Sequence, residues 1–134
     1  MPSLRWAVLI ADLEPVEGHE QGGQRRVLVV SLEAFHRLGL ALVCPIPATR
    51  SEVKRYGEVA IPVGEAGQTK PGVILCFQAR TIAIQRFRQS QAPCYLTDRN
   101  LRTQVRAALA MYIGLDRPGL EDGASLDDYF EVMS

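Results

Sequence analysis

Five short apolar runs, each closed off by glycine, proline or a polar cluster, constrain this chain more than any other feature. They cover residues 6–13, 27–31, 40–44, 58–61 and 73–77. Each is too short for an ordinary helix and several are rich in valine and isoleucine, so each predicts a strand. Pro15 follows the first run, Pro45 and Pro47 should end the third, and 62–72 is dense in turn residues. Ser31 is placed to cap a short helix through Glu33, Ala34, Phe35 and Leu38, stopped by Gly39. From Thr97 or Asp98 a longer helix should run to about Gly114. Leu101, Val105, Ala108, Leu109 and Tyr112 share one face of it, with Arg102 and Arg106 toward the other. The expectation is a mostly β, α+β domain: a small, curled antiparallel sheet packed by helices.

Composition narrows the setting. A chain of 134 residues with 47% hydrophobic and 22% charged residues fits one globular domain. No run of eighteen apolar residues marks a membrane span, and Arg5 before the run 6–11 without a small-residue cleavage site does not make a signal peptide. Cys44, Cys76 and Cys94 lack metal-ligand spacing and are odd in number, so buried free thiols at Cys44 and Cys76 and a cytoplasmic location are expected. The zero net charge argues against a strongly basic nucleic-acid binder. Charge is unevenly spread, however. Residues 116–134 hold six carboxylates against Arg117, which leaves a surplus of five positive charges on 1–115. The expected organisation is a domain over 1–115 and an acidic tail over 116–134, read first as a solvated, disordered terminus.

The connection between the first two strands is the chemically richest part. Residues 18–25, Gly-His-Glu-Gln-Gly-Gly-Gln-Arg, bring an imidazole, a carboxylate and a guanidinium into one glycine-rich loop. A plain hairpin needs only a few turn residues, and long loops in compact domains are often functional. By residue type, Arg25 suits a phosphate contact, because a guanidinium is always charged and can bind two oxygens in parallel. His19 can act as acid or base near neutral pH. Two plainer readings stand beside these: a solvated His19, and an Arg25–Glu20 surface pair across the mouth of the hairpin.

The order of these pieces resembles the MazF/PemK family of toxin endoribonucleases. Asp12-Leu13 with Pro15, the 18–25 loop, Ser31, Ala34-Phe35 with Arg37, Cys44-Pro45-Ile46, Thr69-Lys70-Pro71-Gly72 and Gln78-Ala79-Arg80-Thr81-Ile82 carry the likeness. It implies a small SH3-like, partly open antiparallel barrel with short helices and a C-terminal helix, forming a homodimer. It also implies cleavage of single-stranded RNA without a metal or cofactor, through 2′-hydroxyl attack to a 2′,3′-cyclic phosphate, under control of an antitoxin protein. On this resemblance Arg25 would stabilise the phosphorane, and His19 and Glu20 would share the proton transfers. Thr49 would supply a hydroxyl. By charge rather than by resemblance, Arg26, Arg50, Lys70 and Arg80 are read as RNA phosphate contacts, with Gln78 a candidate for base or loop contacts, and Tyr56 could stack a base.

The chain also departs from the pattern. Where the family has Thr or Ser after the Pro-hydrophobic pair, this chain has Pro47 and Ala48, with Thr49 two positions on. Leu75 and Phe77 stand where one branch has arginine and aspartate, and Arg26 replaces a common proline. A cleavage-deficient barrel that binds RNA or protein is therefore the alternative. The acidic tail, with Leu126, Tyr129, Phe130, Val132 and Met133 among its carboxylates, could fold back over the site.

Overall fold

A computed structural model describes residues 3–115. The acidic tail and the reading that it covers the site lie outside the described residues. Seven strands form: β1 (Ala7–Asp12), β2 (Gln24–Val29), β3 (Leu40–Ile46), β4 (Glu58–Ile61), β5 (Gly72–Leu75), β6 (Arg80–Ala83) and β7 (Cys94–Tyr95). A single long helix, α1 (Arg99–Tyr112), follows them. One open antiparallel sheet runs β6-β3-β2-β1-β7, and β4 with β5 forms a separate hairpin.

The strands read as continuous apolar runs because the sheet is covered on both faces. Val8, Leu28, Cys44 and Ile46 point to one side, where they meet Val59, Ile61 and Ile74 of the hairpin and Val105 of α1. Leu9, Val27, Val29 and Val43 point to the other, against Ile82 and Phe87. A register slip of one residue would exchange the two sets, so two-sided burial pins the pairing of Leu28 with Cys44 and Val8.

Several sequence expectations are corrected. The third strand does not stop at Pro45 but continues to Ile46. Val30 N–H donates to the Leu42 carbonyl, so residues 42, 44 and 46 face β2 and Pro45 faces away. On that outer side β6 has already ended opposite Val43, so the missing N–H costs no ladder bond. The fifth strand ends at Leu75 and turns through a short 3₁₀ segment, Cys76–Gln78, before β6, a strand the apolar pattern did not suggest.

Ser31 does not cap the following segment, a 3₁₀ helix over Glu33–Leu38 that has no side-chain cap. Its hydroxyl instead accepts from Leu42 N–H and bonds His36 Nε2 at 2.7 Å, holding β3 to the turn. The long helix is as expected, with Asp98 Oδ1 accepting from Leu101 N–H at 3.0 Å. Tyr112, however, is exposed rather than part of the core. All three thiols are free, with Cys44 and Cys76 buried and Cys94 exposed. Among the described residues no helix is long and apolar enough to cross a membrane.

Candidate functional site

The glycine loop between β1 and β2 is fastened rather than slack. Gly23 N–H donates to Glu14 Oε1 at 2.7 Å, and Leu13 N–H to the Gly23 carbonyl at 3.0 Å. A Cβ at Gly22 would meet Glu14 Oε1 and Val16 Cγ2 at 2.6 Å, so those side chains would have to shift and the Glu14 bond to Gly23 with them. Gly23 has φ 71°, a value that favours glycine. From across the molecule Gln78 clamps the tip: its Oε1 accepts from Gln21 N–H at 2.8 Å, and its Nε2 donates to the His19 carbonyl at 3.2 Å. Arg80 donates to the Leu13 carbonyl at 2.9 Å, and Arg86 donates to the carbonyls of Asp12 and Glu14. Gln78 and Arg80, read from the sequence as RNA contacts, are thus engaged in holding the loop.

Where the loop enters β2, the chain opens onto a cleft of about 410 Å³. Arg25, Arg26, Arg50, Lys70 and Arg88 line it, beside Pro47, Ala48 and Thr69. The five cations are not equivalent. Arg26 gives its guanidinium to Gln68 Oε1 and the Ala66 carbonyl, and burial lowers its pKa from the ordinary value. Arg50 pairs with Glu58 at 2.6 Å and also donates to the Glu52 carbonyl at 3.0 Å.

The Glu58 side chain is fully buried. Burial alone would raise its pKa, yet the Lys54 N–H at 2.8 Å and the bonds and charge of Arg50, with Arg55, hold it below the usual carboxylate range. Arg25, Lys70 and Arg88 have no ion pair or side-chain hydrogen bond among the described residues; the Nε of the ion-paired Arg50 is buried without a partner, and so is the Nε of Arg25. A buried N–H left unmet costs about 1–3 kcal/mol, so this atom favours an incoming acceptor.

Among the described residues no carboxylate or imidazole lines this cleft. His19 is exposed at the loop tip. Glu20 accepts from Glu17 N–H at 3.0 Å and lines a second, smaller pocket of about 200 Å³ with Gln78, Arg80, Phe77 and Tyr112. The loop residues adjacent in sequence are therefore divided between two hollows, and no Arg25–Glu20 pair forms. Extending the β2–β3 register by one residue sets Pro47 opposite Arg25, a position with neither hydroxyl nor N–H. Thr49 is exposed and does not line the cleft; Thr69 is its hydroxyl-bearing residue.

Arg88, Thr69 and Tyr112 were not singled out for the site from sequence. Arg88 follows a weakly patterned apolar-basic stretch, and Tyr112 has the spacing of a core residue. Tyr56 sits in the turn before β4, partly buried and engaged with neighbouring groups. Among the described residues no group of three or more His, Cys, Asp or Glu is gathered so as to hold a metal ion.

Comparison with known proteins places this arrangement. Residues 4–113 match the family described as PemK-like, MazF-like toxin of type II toxin-antitoxin system. Endoribonuclease EndoA of Bacillus subtilis is 41% identical over 83 residues, 61% of this chain and 72% of the relative. Endoribonuclease MazF of Staphylococcus saprophyticus is 30% identical over 112 residues, 83% of this chain and 91% of the relative. The segments matching Escherichia coli ChpB and PemK are shorter, at 66% and 59% of those relatives, both under two thirds.

In three dimensions the fold is similar to MazF of Deinococcus radiodurans, with a TM-score of 0.62 and 30% identity over 82% of this chain and 94% of that one. It is also similar to a MazE-MazF crystal structure from the same organism, with a TM-score of 0.61 and 27% identity over 85% and 96% of the two chains. A family match over most of the chain and an open antiparallel sheet of the same kind agree: the chain belongs to the PemK-like, MazF-like toxin family.

Proposed function

We propose that the chain is an endoribonuclease toxin that cuts single-stranded RNA, without a metal, by attack of a 2′-hydroxyl on the adjacent phosphorus. The bond from O2′ to phosphorus forms and the bond to O5′ breaks, leaving a 2′,3′-cyclic phosphate and a 5′-hydroxyl. The 2′-hydroxyl gives up a proton and the departing O5′ takes one. One observation carries the reading: an arginine with a buried, unpartnered Nε on the wall of a cationic cleft. Such a group is suited to the charge that grows on the phosphorane oxygens, a contribution typically worth about 10²–10³-fold in rate. The relatives named endoribonuclease support the same activity.

Lys70 and Arg88 bind the flanking phosphates, while Arg26 and Arg50 mainly shape the cleft. His19 and Glu20 carry the proton transfers, which requires the loop tip to close toward Arg25 when RNA is bound. Phe77 and Tyr112 beside Glu20 offer a base an aromatic wall and an acceptor. Thr49 takes part only if the turn after Pro47 moves. The MazE-MazF crystal structure of the D. radiodurans relative supports control by an antitoxin. The exposed group Leu32, Phe35, Leu38 and Leu40 offers an apolar face for a homodimer. Three unpaired thiols suit the reducing cytoplasm, where messenger RNA is found.

A second reading is favoured by the bare cleft wall. With Pro47 facing Arg25 and no acid or base beside it, the domain would hold RNA or a protein partner without cutting. Incubating the purified chain with end-labelled single-stranded RNA in excess chelator separates the two. A cyclic-phosphate product supports the nuclease, and bound but intact RNA supports the binding module.

A further inference from the structure

At the far end of β2 from Arg25, about 13 Å along the strand, lies a second cationic cluster that the proposed reaction does not use. Trp6, the chain's only tryptophan, is 5% exposed and sits where its N–H donates to the Val29 carbonyl. Its φ of 67° is rare for so bulky a residue. The guanidinium carbons of Arg5, Arg102 and Arg106 lie 5.0, 5.3 and 5.2 Å from the centre of its indole ring.

Arg102 Nε donates to the Leu96 carbonyl at 2.7 Å, but no carboxylate among the described residues forms an ion pair with any of the three. The Nε of Arg5 is buried without a partner. Helix α1 adds Arg99 and contains no aspartate or glutamate. Attraction to the ring holds each guanidinium in place, yet it leaves their mutual repulsion uncancelled. Burial, then the charges of Arg106 and Arg102, lower the Arg5 pKa.

We propose that Arg5, Arg102 and Arg106 form a docking site for the chain's own acidic segment, residues 116–134. Charge complementarity is the first argument. That segment carries Asp116, Glu121, Asp122, Asp127, Asp128 and Glu131 against one arginine, while residues 1–115 carry the matching positive surplus.

Reach is the second. The segment begins four residues beyond the end of α1 at Tyr112. At 1.5 Å per helical residue, Arg106 and Arg102 lie about 9 and 15 Å back along the axis. An extended chain covers roughly 3.3 Å per residue, which carries Glu121 and Asp122 about 20 Å from Leu115. A short tether also holds the carboxylates at an effective concentration on the order of millimolar, so weak individual pairs suffice.

Trp6 reports the contact directly. The emission of the full chain is compared with that of a full-length E121Q/D122N/D127N/D128N variant. The expected result is different emission from the two chains at ~20 mM salt, merging by ~0.5 M as screening removes the attraction. The difference should not depend on protein concentration, and R102Q/R106Q should abolish it. Identical emission at low salt would overturn the proposal. So would a difference that grows with protein concentration, which means a second copy supplies the anion. Emission that shifts on adding a single-stranded oligonucleotide, but not on neutralising the tail, assigns the cluster to RNA and likewise overturns it.

Discussion

The two hollows beside the β1–β2 loop make an instructive pair. Among the described residues, the larger cleft, around Arg25, is lined by five cations and by no carboxylate or imidazole. The smaller, around Glu20, has a carboxylate and two aromatic rings, and its one cation, Arg80, is tied to the Leu13 carbonyl. Arg25 and Glu20 are only five residues apart, but the clamp from Gln78 ties the loop tip beside the second hollow. On the roles proposed for Arg25 and Glu20, loop closure or a substrate that spans both hollows would have to bring the two together.

The largest expected effect probes what supports the larger cleft rather than what fills it. Removing Glu58 leaves Arg50 facing a buried void and the Lys54 N–H unpaired, and breaking such a pair costs about 3–5 kcal/mol. Glu58→Ala should therefore lower the midpoint of urea unfolding well before any RNA measurement is made. An unchanged midpoint would mean that the Arg50 wall is not structural. Glu58, like Glu33 beside His36 and the Leu4 N–H, has its pKa below the ordinary value. Its stabilisation is complete above the unfolded carboxylate pKa of about 4.3, and is lost as pH falls through the lower folded value. Stability should accordingly decline as pH falls through and below about 4.3, and acid titration of the unfolding midpoint checks this.

A middle-sized effect tests the split itself. If Glu20 moves a proton, Glu20→Gln should lower kcat by about 10²-fold or more with KM little changed. If it only lines a base pocket, KM rises and kcat holds, and the two hollows then have separate duties. His19→Gln read in the same assay shows which loop residue carries the larger share. The smallest effects belong to the free cations. Lys70→Gln and Arg88→Gln should each reduce the salt slope of RNA binding by about one and weaken affinity evenly across sequences. Arg26→Gln and Arg50→Gln should leave that slope nearly unchanged, because their guanidiniums are already committed.

The fold was legible wherever a local signal matched the global one. Helix α1 combined an apolar period with a capping aspartate, and the run at 58–61 is a strand as expected, although Glu58 is buried and only Ala60 of the four is exposed. Pro45 misled because its effect depends on which side of β3 has a neighbour, a fact set by where β6 stops. β6 itself, Arg-Thr-Ile-Ala, has too little apolar pattern to be seen without β3 beside it. At the site, the type and place of Arg25 were readable. The engagement of Arg26 with Gln68, 42 residues on, was not, nor was the sealing of Arg50 by Glu58. A cation's availability depends on partners that tertiary structure brings, and residue type alone says nothing of them.

The account rests most heavily on Arg25 acting on the transition state rather than as one more phosphate contact. Single-turnover cleavage of a labelled single-stranded RNA in chelator, with Kd measured alongside, tests this for Arg25→Ala against the unaltered chain. The account predicts a cleavage rate lower by about 10²–10³-fold with Kd raised only a few-fold. A variant that cleaves at the unaltered rate, or loses rate only as far as it loses binding, would contradict it.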